Sequence, residues 1–146
     1  MKPPSPSTRL LARAVGMSLG IGLVSLLIGC DKPQEMVSGP GVPASQGTVK
    51  VSKTENGNTK IVMHVKHLAL PFKVAPNAAV YVVWLKPKDG ATINLGALVV
   101  NDNLKGTFET TTPHRHFQLS VTPEAGGHVD IPTHEAVFTA DVERPD

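Results

Sequence analysis

Two β-branched runs, "VKVSK" and "KIVMHV", flank the turn residues Glu55-Asn56-Gly57, and this pair constrains the fold more than any other feature. Asn and Gly tolerate positive φ, so the segment joins antiparallel strands. A two-residue loop would pair Val51 with Val62 and put Val49 and Val51 on the face opposite Ile61, Met63 and Val65. A three-residue loop with Gly57 left-handed pairs Val51 with Ile61 and Val49 with Met63 and unites the apolar sets. Since a one-residue slip moves every side chain to the other face, the spacing predicts the three-residue loop with a bulge.

Further runs of this kind follow, and from Thr48 onward no segment keeps a helical apolar period for ten residues. "AVYVVWL", Ala79 to Leu85, is apolar on both faces and is expected at the centre of a sheet. "TINLGALVVN" ends at the turn Asn101-Asp102-Asn103, and "GTFETTT", with Phe108 as its one bulky apolar side chain, reads as an edge. In "RHFQLSVT" the inward set is Phe117, Leu119 and Val121; in "EAVFTADV" it is Ala136, Phe138, Ala140 and Val142. Seven strands in the roughly 96 residues of 48–143 predict one all-β domain, an immunoglobulin-like antiparallel β-sandwich with Trp84 as a plug in its core. With one cysteine in 146 residues, no disulfide bridges the sheets, and stability must come from packing.

That cysteine, Cys30, stands at a boundary. Lys2, Arg9 and Arg13 precede a 14-residue apolar and small-residue run, Val15 to Ile28, with no acid before it, the layout of a secretory signal. A spanning helix needs about 20 apolar residues, and this run is interrupted by Gly16, Ser18, Gly20, Gly22 and Ser25. The tetrad Leu27-Ile28-Gly29-Cys30 resembles the lipobox of bacterial lipoproteins, which implies cleavage after residue 29 and diacylglycerol on the Cys30 thiol. Residues 30–47, "CDKPQEMVSGPGVPASQG", carry three prolines and no apolar period, and read as a flexible tether with a reach on the order of 20 to 25 Å. In enteric lipoproteins an aspartate after the lipidated cysteine is associated with inner-membrane retention, so Asp31 favours that membrane.

Removing residues 1–29 also removes three of the 14 basic side chains, leaving 11 against 12 acids. The basic balance belongs to the targeting peptide, and without a clustered basic surface nucleic acid is not an expected partner.

Around "YVVWLKPKDGATINLGAL", "FQLSVTPEAGG" and "IPTHEAV" the chain resembles the extracytoplasmic C-terminal domain of anti-sigma-K factors. The matching residues are Tyr81, Trp84, Leu85, Val121, Thr122, Glu124, Gly126, Gly127, Pro132 and Thr133. The resemblance spans about Val80 to Val142 and implies a sensing or protein-contact domain, not an enzyme. Only about 14 residues precede the apolar run, too few for the sigma-binding domain of that family.

The search for chemistry turns on six histidines. His114 and His116 share a side of an extended chain, which as neutral imidazoles suits copper or zinc, with His128 and His134 in a nearby loop. A metal site is therefore the alternative to an interaction module. No G-x-S-x-G, H-E-x-x-H or Gly-rich phosphate motif is present, and neither a catalytic residue nor a cofactor is expected. The least explained apolar segment is "HLALPFKVAP", which marks Leu68, Leu70 and Phe72 as possible contacts for an envelope protein. The expectation is a lipid-anchored, non-catalytic protein on the extracytoplasmic side of a bacterial membrane.

Overall fold

The computed structural model describes residues 32–146. Cys30, Asp31 and the whole signal segment lie outside the described residues.

The strands are β1 (Gln34–Glu35), β2 (Val37–Ser38), β3 (Gln46–Lys53), β4 (Thr59–Lys66), β5 (Val80–Pro87), β6 (Ile93–Leu98), β7 (Lys105–Thr112), β8 (His116–Glu124) and β9 (Phe138–Glu143). One helical turn, α1 (Pro71–Val74), lies between β4 and β5. All pairings are antiparallel, in a four-stranded sheet of order β1-β3-β4-β7 and a five-stranded sheet of order β2-β9-β8-β5-β6. The chain is an all-β sandwich. Its seven long strands are those expected, with β5 inside its sheet and the Thr-rich β7 at an edge.

The first hairpin has the register that joins its apolar sets: Val49 lies opposite Met63 and Val51 opposite Ile61. The amide of Gly57 donates to the Thr54 carbonyl at 2.9 Å, that of Thr54 to the Asn58 carbonyl at 2.9 Å, and Gly57 has φ 78°. A three-residue loop closes it, with glycine at the left-handed position.

The turn between Asn101 and Lys105 has the same construction with a different residue. Leu104 donates to Asn101 and Asn101 to Lys105, both at 2.9 Å, and Leu104 takes the left-handed position at φ 58°. The Asn101 side-chain oxygen accepts from the Asn103 and Lys105 amides and holds the loop shut. A branched side chain there costs roughly 1–2 kcal/mol that glycine does not. Nothing lies within 4 Å of a Cβ added to Gly57. Gly57→Ala is therefore expected to lose about 1 kcal/mol from backbone strain alone. For Leu104→Gly, strain relief offsets lost contact, and stability stays within about 0.5 kcal/mol of wild type. Urea denaturation midpoints of the two variants check both values.

The segment read as a tether folds. From Gln34 the chain pairs with β3 through β1, then changes sheets and pairs with β9 through β2. Met36, between the two strands, is buried and donates its amide to the Gly47 carbonyl at 2.8 Å. Val42 and Ser45 are buried as well. Gly39 donates to the Val137 carbonyl, and a Cβ there would stand 2.3 Å from the Ala136 oxygen, so only glycine permits the approach. The folded unit thus begins near Gln34, not Thr48. The segment is held by backbone pairing and by two isolated apolar side chains, neither of which needs a periodic sequence.

Trp84 is fully buried, as expected, but not between the two sheets. Tyr81, Val83 and Leu85 belong to the cluster between the sheets, with Ile61, Met63, Leu98, Leu119 and Phe138. Trp84 and Val82 project from the other side of β5, outside that cluster, yet both are fully buried. The connection from Ala125 to Val137 covers them, pinned where the Asn94 amide donates to the Gly127 and Val129 carbonyls at 3.0 and 2.8 Å. The sandwich therefore has a second, smaller buried layer outside the five-stranded sheet.

Its two ends differ. The turn end carries the 54–58 and 88–92 loops, the bend at 113–115 and the C-terminal residues. The crossover end carries residues 39–45, the 67–79 crossover with α1, and the 99–104 loop.

Candidate functional site

The crossover end gathers most of what packing does not explain. The segment 68–72 separates into buried and exposed residues. Leu68 has no exposed surface and belongs to the core, Leu70 is half-buried, and Phe72 is 59% exposed. The expectation of a three-residue contact strip is thus corrected: a crossover must bury something to bridge the sheets, and Leu68 is what it buries. Proline at the first helical position and the Ala75 amide bonded to the Pro71 carbonyl at 3.0 Å shape the turn that lifts Phe72 outward. The Lys73 ammonium stands 5.3 Å from the Phe72 ring centroid. Beneath, the Tyr81 hydroxyl donates to the Ala69 carbonyl at 2.7 Å, and burial pushes its pKa up to about 12, so it remains a donor.

On the same end Val99 is 75% and Leu104 37% exposed. The Leu68 amide donates to the Leu104 carbonyl at 3.1 Å and ties the two loops together. Three non-glycine residues with positive φ, His67, Asn77 and Leu104, sit here. Asparagine and histidine are enriched in that conformation, whereas leucine adopts it at a cost, and such strain collects at functional sites. A cleft of about 240 Å³ opens nearby between Pro40, Val74, Pro76, Pro123, His134 and Ala136.

The polar centre under the 125–137 connection is Glu124, whose side chain has no exposed surface. Its Oε1 accepts from the Thr122 hydroxyl at 2.6 Å and the Thr133 amide at 2.9 Å, and its Oε2 accepts from the Thr133 hydroxyl. Thr122 in turn accepts from the Trp84 indole at 2.8 Å. The His134 Nδ1 lies 3.8 Å from Oε2 and 3.0 Å from the Thr133 hydroxyl. Burial alone would raise the Glu124 pKa; the Thr122 and Thr133 bonds, with His134 adding to them, outweigh it and hold the carboxyl below its ordinary value. The arrangement is a latch that fastens the connection over Trp84.

His114 and His116 lie at the opposite, turn end. His114 precedes β8 in a bend, where its carbonyl accepts from the Thr59 hydroxyl at 2.7 Å, so the parity that would align it with His116 along one strand does not apply. The His116 Nδ1 is 3.6 Å from Glu143, beside an open cleft of about 480 Å³ that Lys86, Lys88 and Asp141 also line. His134 is at the crossover end, and His128 lies over β6 beside Asn94. No group of three or more His, Cys, Asp or Glu able to hold a metal ion occurs among the described residues.

Two features escaped the sequence. Leu104 carries no glycine signal, and only the spacing of Asn101 to Lys105, the same as that of Thr54 to Asn58, marks its position. Glu124 was visible as part of a motif, but its burial depends on a Gly- and Pro-containing connection with no periodicity.

The chain matches no family model, and no curated protein sequence is similar to it.

Proposed function

We propose that this chain is a bacterial cell-envelope lipoprotein whose sandwich is a non-catalytic interaction or sensing module. Residues 1–29 direct export, lipid on Cys30 anchors the product, and Asp31 favours the inner membrane. Two or more acyl chains give stable binding where one is marginal. The partner is an envelope protein, in keeping with the resemblance to the outer domain of anti-sigma-K factors.

The observation that carries the reading is Leu104. A left-handed leucine that stays 37% exposed, on the same end as Phe72 and Val99, is backbone strain of the kind that collects at contact surfaces. No observation favours the metal reading over it.

Photo-crosslinking in the native envelope tests the proposal, with probes at Phe72, at Leu104 and, on the opposite end, at His116. One dominant protein adduct from positions 72 and 104, and not from 116, is expected. The same adducts from 116, or none from any position, would reject a crossover-end contact.

A further inference from the structure

Resting on lipidation of Cys30, we infer that the sandwich has no stand-off from the bilayer and sits with its turn end against the lipid headgroups. The argument is one of direction and length. β1 runs antiparallel to β3, with Gln34 opposite Val49 and Glu35 opposite Thr48, so the chain travels toward the crossover end and its upstream part comes from the turn end. Four residue steps separate Cys30 from Gln34. They span at most about 14 Å when fully extended. From Val49 to the end of β3 at Lys53 is also four residues. At about 3.4 Å per residue that is again about 14 Å, and the 54–58 loop projects further. Even drawn straight, the connection brings Cys30 no lower than Lys53. For a chain that continues along the strand direction, a lipid on that residue therefore reaches hydrocarbon with the loop at 54–58 among the headgroups.

The chemistry of this end fits a polar surface. Lys53, Glu55 and Asn56 are exposed at it with Lys88 and Asp89, and Arg115 is paired with Asp146. Of the large apolar residues exposed among those described, Phe72, Val99 and Leu104 are at the other end, Val37 lies on β2, Ile131 lies in the 125–137 connection, and Ile93, 40% exposed, borders this end. The bilayer then holds the contact surface away from itself, facing the surrounding compartment.

Because Cys30 is the only cysteine and its thiol is consumed by lipid, a single introduced cysteine labels uniquely. The full chain, produced in a bacterium and reconstituted in vesicles of phosphatidylethanolamine and phosphatidylglycerol, would carry a fluorophore at N56C, at N103C or, on the crossover half of the β7 edge, where Thr107 lies opposite His64, at T107C. Quenching by headgroup-labelled lipid is expected to be several-fold stronger at 56 than at 103 or 107. Inserting about 12 Gly and Ser residues after Asp31, roughly 20 Å of added reach, is expected to abolish the difference. Mass spectrometry of the Cys30 peptide separates the two failures. A lipid-free Cys30 removes the anchor and this inference together. A lipidated Cys30 with equal quenching at the three positions, or the strongest at 103 or 107, overturns the orientation alone.

Discussion

A chain beginning at Gln46 is expected to be less stable than one beginning at Lys32 by about 3 kcal/mol, a large share of the 5–15 kcal/mol typical of a domain. The residues removed include Met36 and Val42, both buried. Each side chain contributes about 1.5–3 kcal/mol on burial, each backbone hydrogen bond about 1, and the entropy of ordering the segment offsets part of the total. Removal also uncovers Phe138, whose ring packs at Gly47 beside the Met36 sulfur. Urea denaturation of the two chains measures the difference, and Met36→Asp in the longer chain is a control that keeps its length. Equal midpoints and slopes for the two lengths would mean that β1 and β2 contribute nothing to the fold.

The second large effect is expected at Glu124. Glu124→Ala leaves the Thr122 hydroxyl and the Thr133 amide and hydroxyl without their acceptor in a buried site and opens a void under the connection. Unsatisfied buried donors cost about 1–3 kcal/mol each, so a loss of about 3–5 kcal/mol is expected, with local loosening of residues 125–137. Glu124→Gln keeps the shape but replaces one acceptor with a donor, and about 1–2 kcal/mol is expected. Because the folded-state pKa lies below the ordinary carboxylate value of 4.5, the unfolded chain binds the proton more tightly. The contribution of this ionisation is present above the unfolded value and is lost as the pH falls through the folded one. Stability of the wild type should therefore fall more steeply with acid than that of Glu124→Gln. Parallel profiles would show that the carboxylate charge does not matter to the latch.

How far the sequence discloses such features depends on whether they are local. The 49–65 hairpin was legible because a turn signal and two alternating runs act within 17 residues, and its register emerged residue for residue. β1 and β2 were not, since strands of two residues cannot show a period and the prolines and glycines around them look like a linker. For Trp84 the difficulty was different. When a strand is apolar on both sides, alternation does not say which side faces the other sheet, and the cover over the outer face, residues 125–137, shows no apolar period. Within the candidate contact segment Phe72 is exposed and Leu68 is buried, and only the tertiary path of the crossover separates them. The pairing of His114 and His116 failed for a local reason: β8 begins after His114.

The N-terminal strand that changes sheets has a mechanical consequence. A pull on the chain ahead of Gln34, directed toward the turn end, runs parallel to the strands. It slides β1 along β3 and β2 along β9 instead of peeling them apart. The backbone bonds of both pairings then bear load side by side and must rupture together, with Met36 as the bolt between them. Forced unfolding depends on the rate of crossing such a barrier. A protein drawn from this end and held at the other is loaded along its stiffest direction.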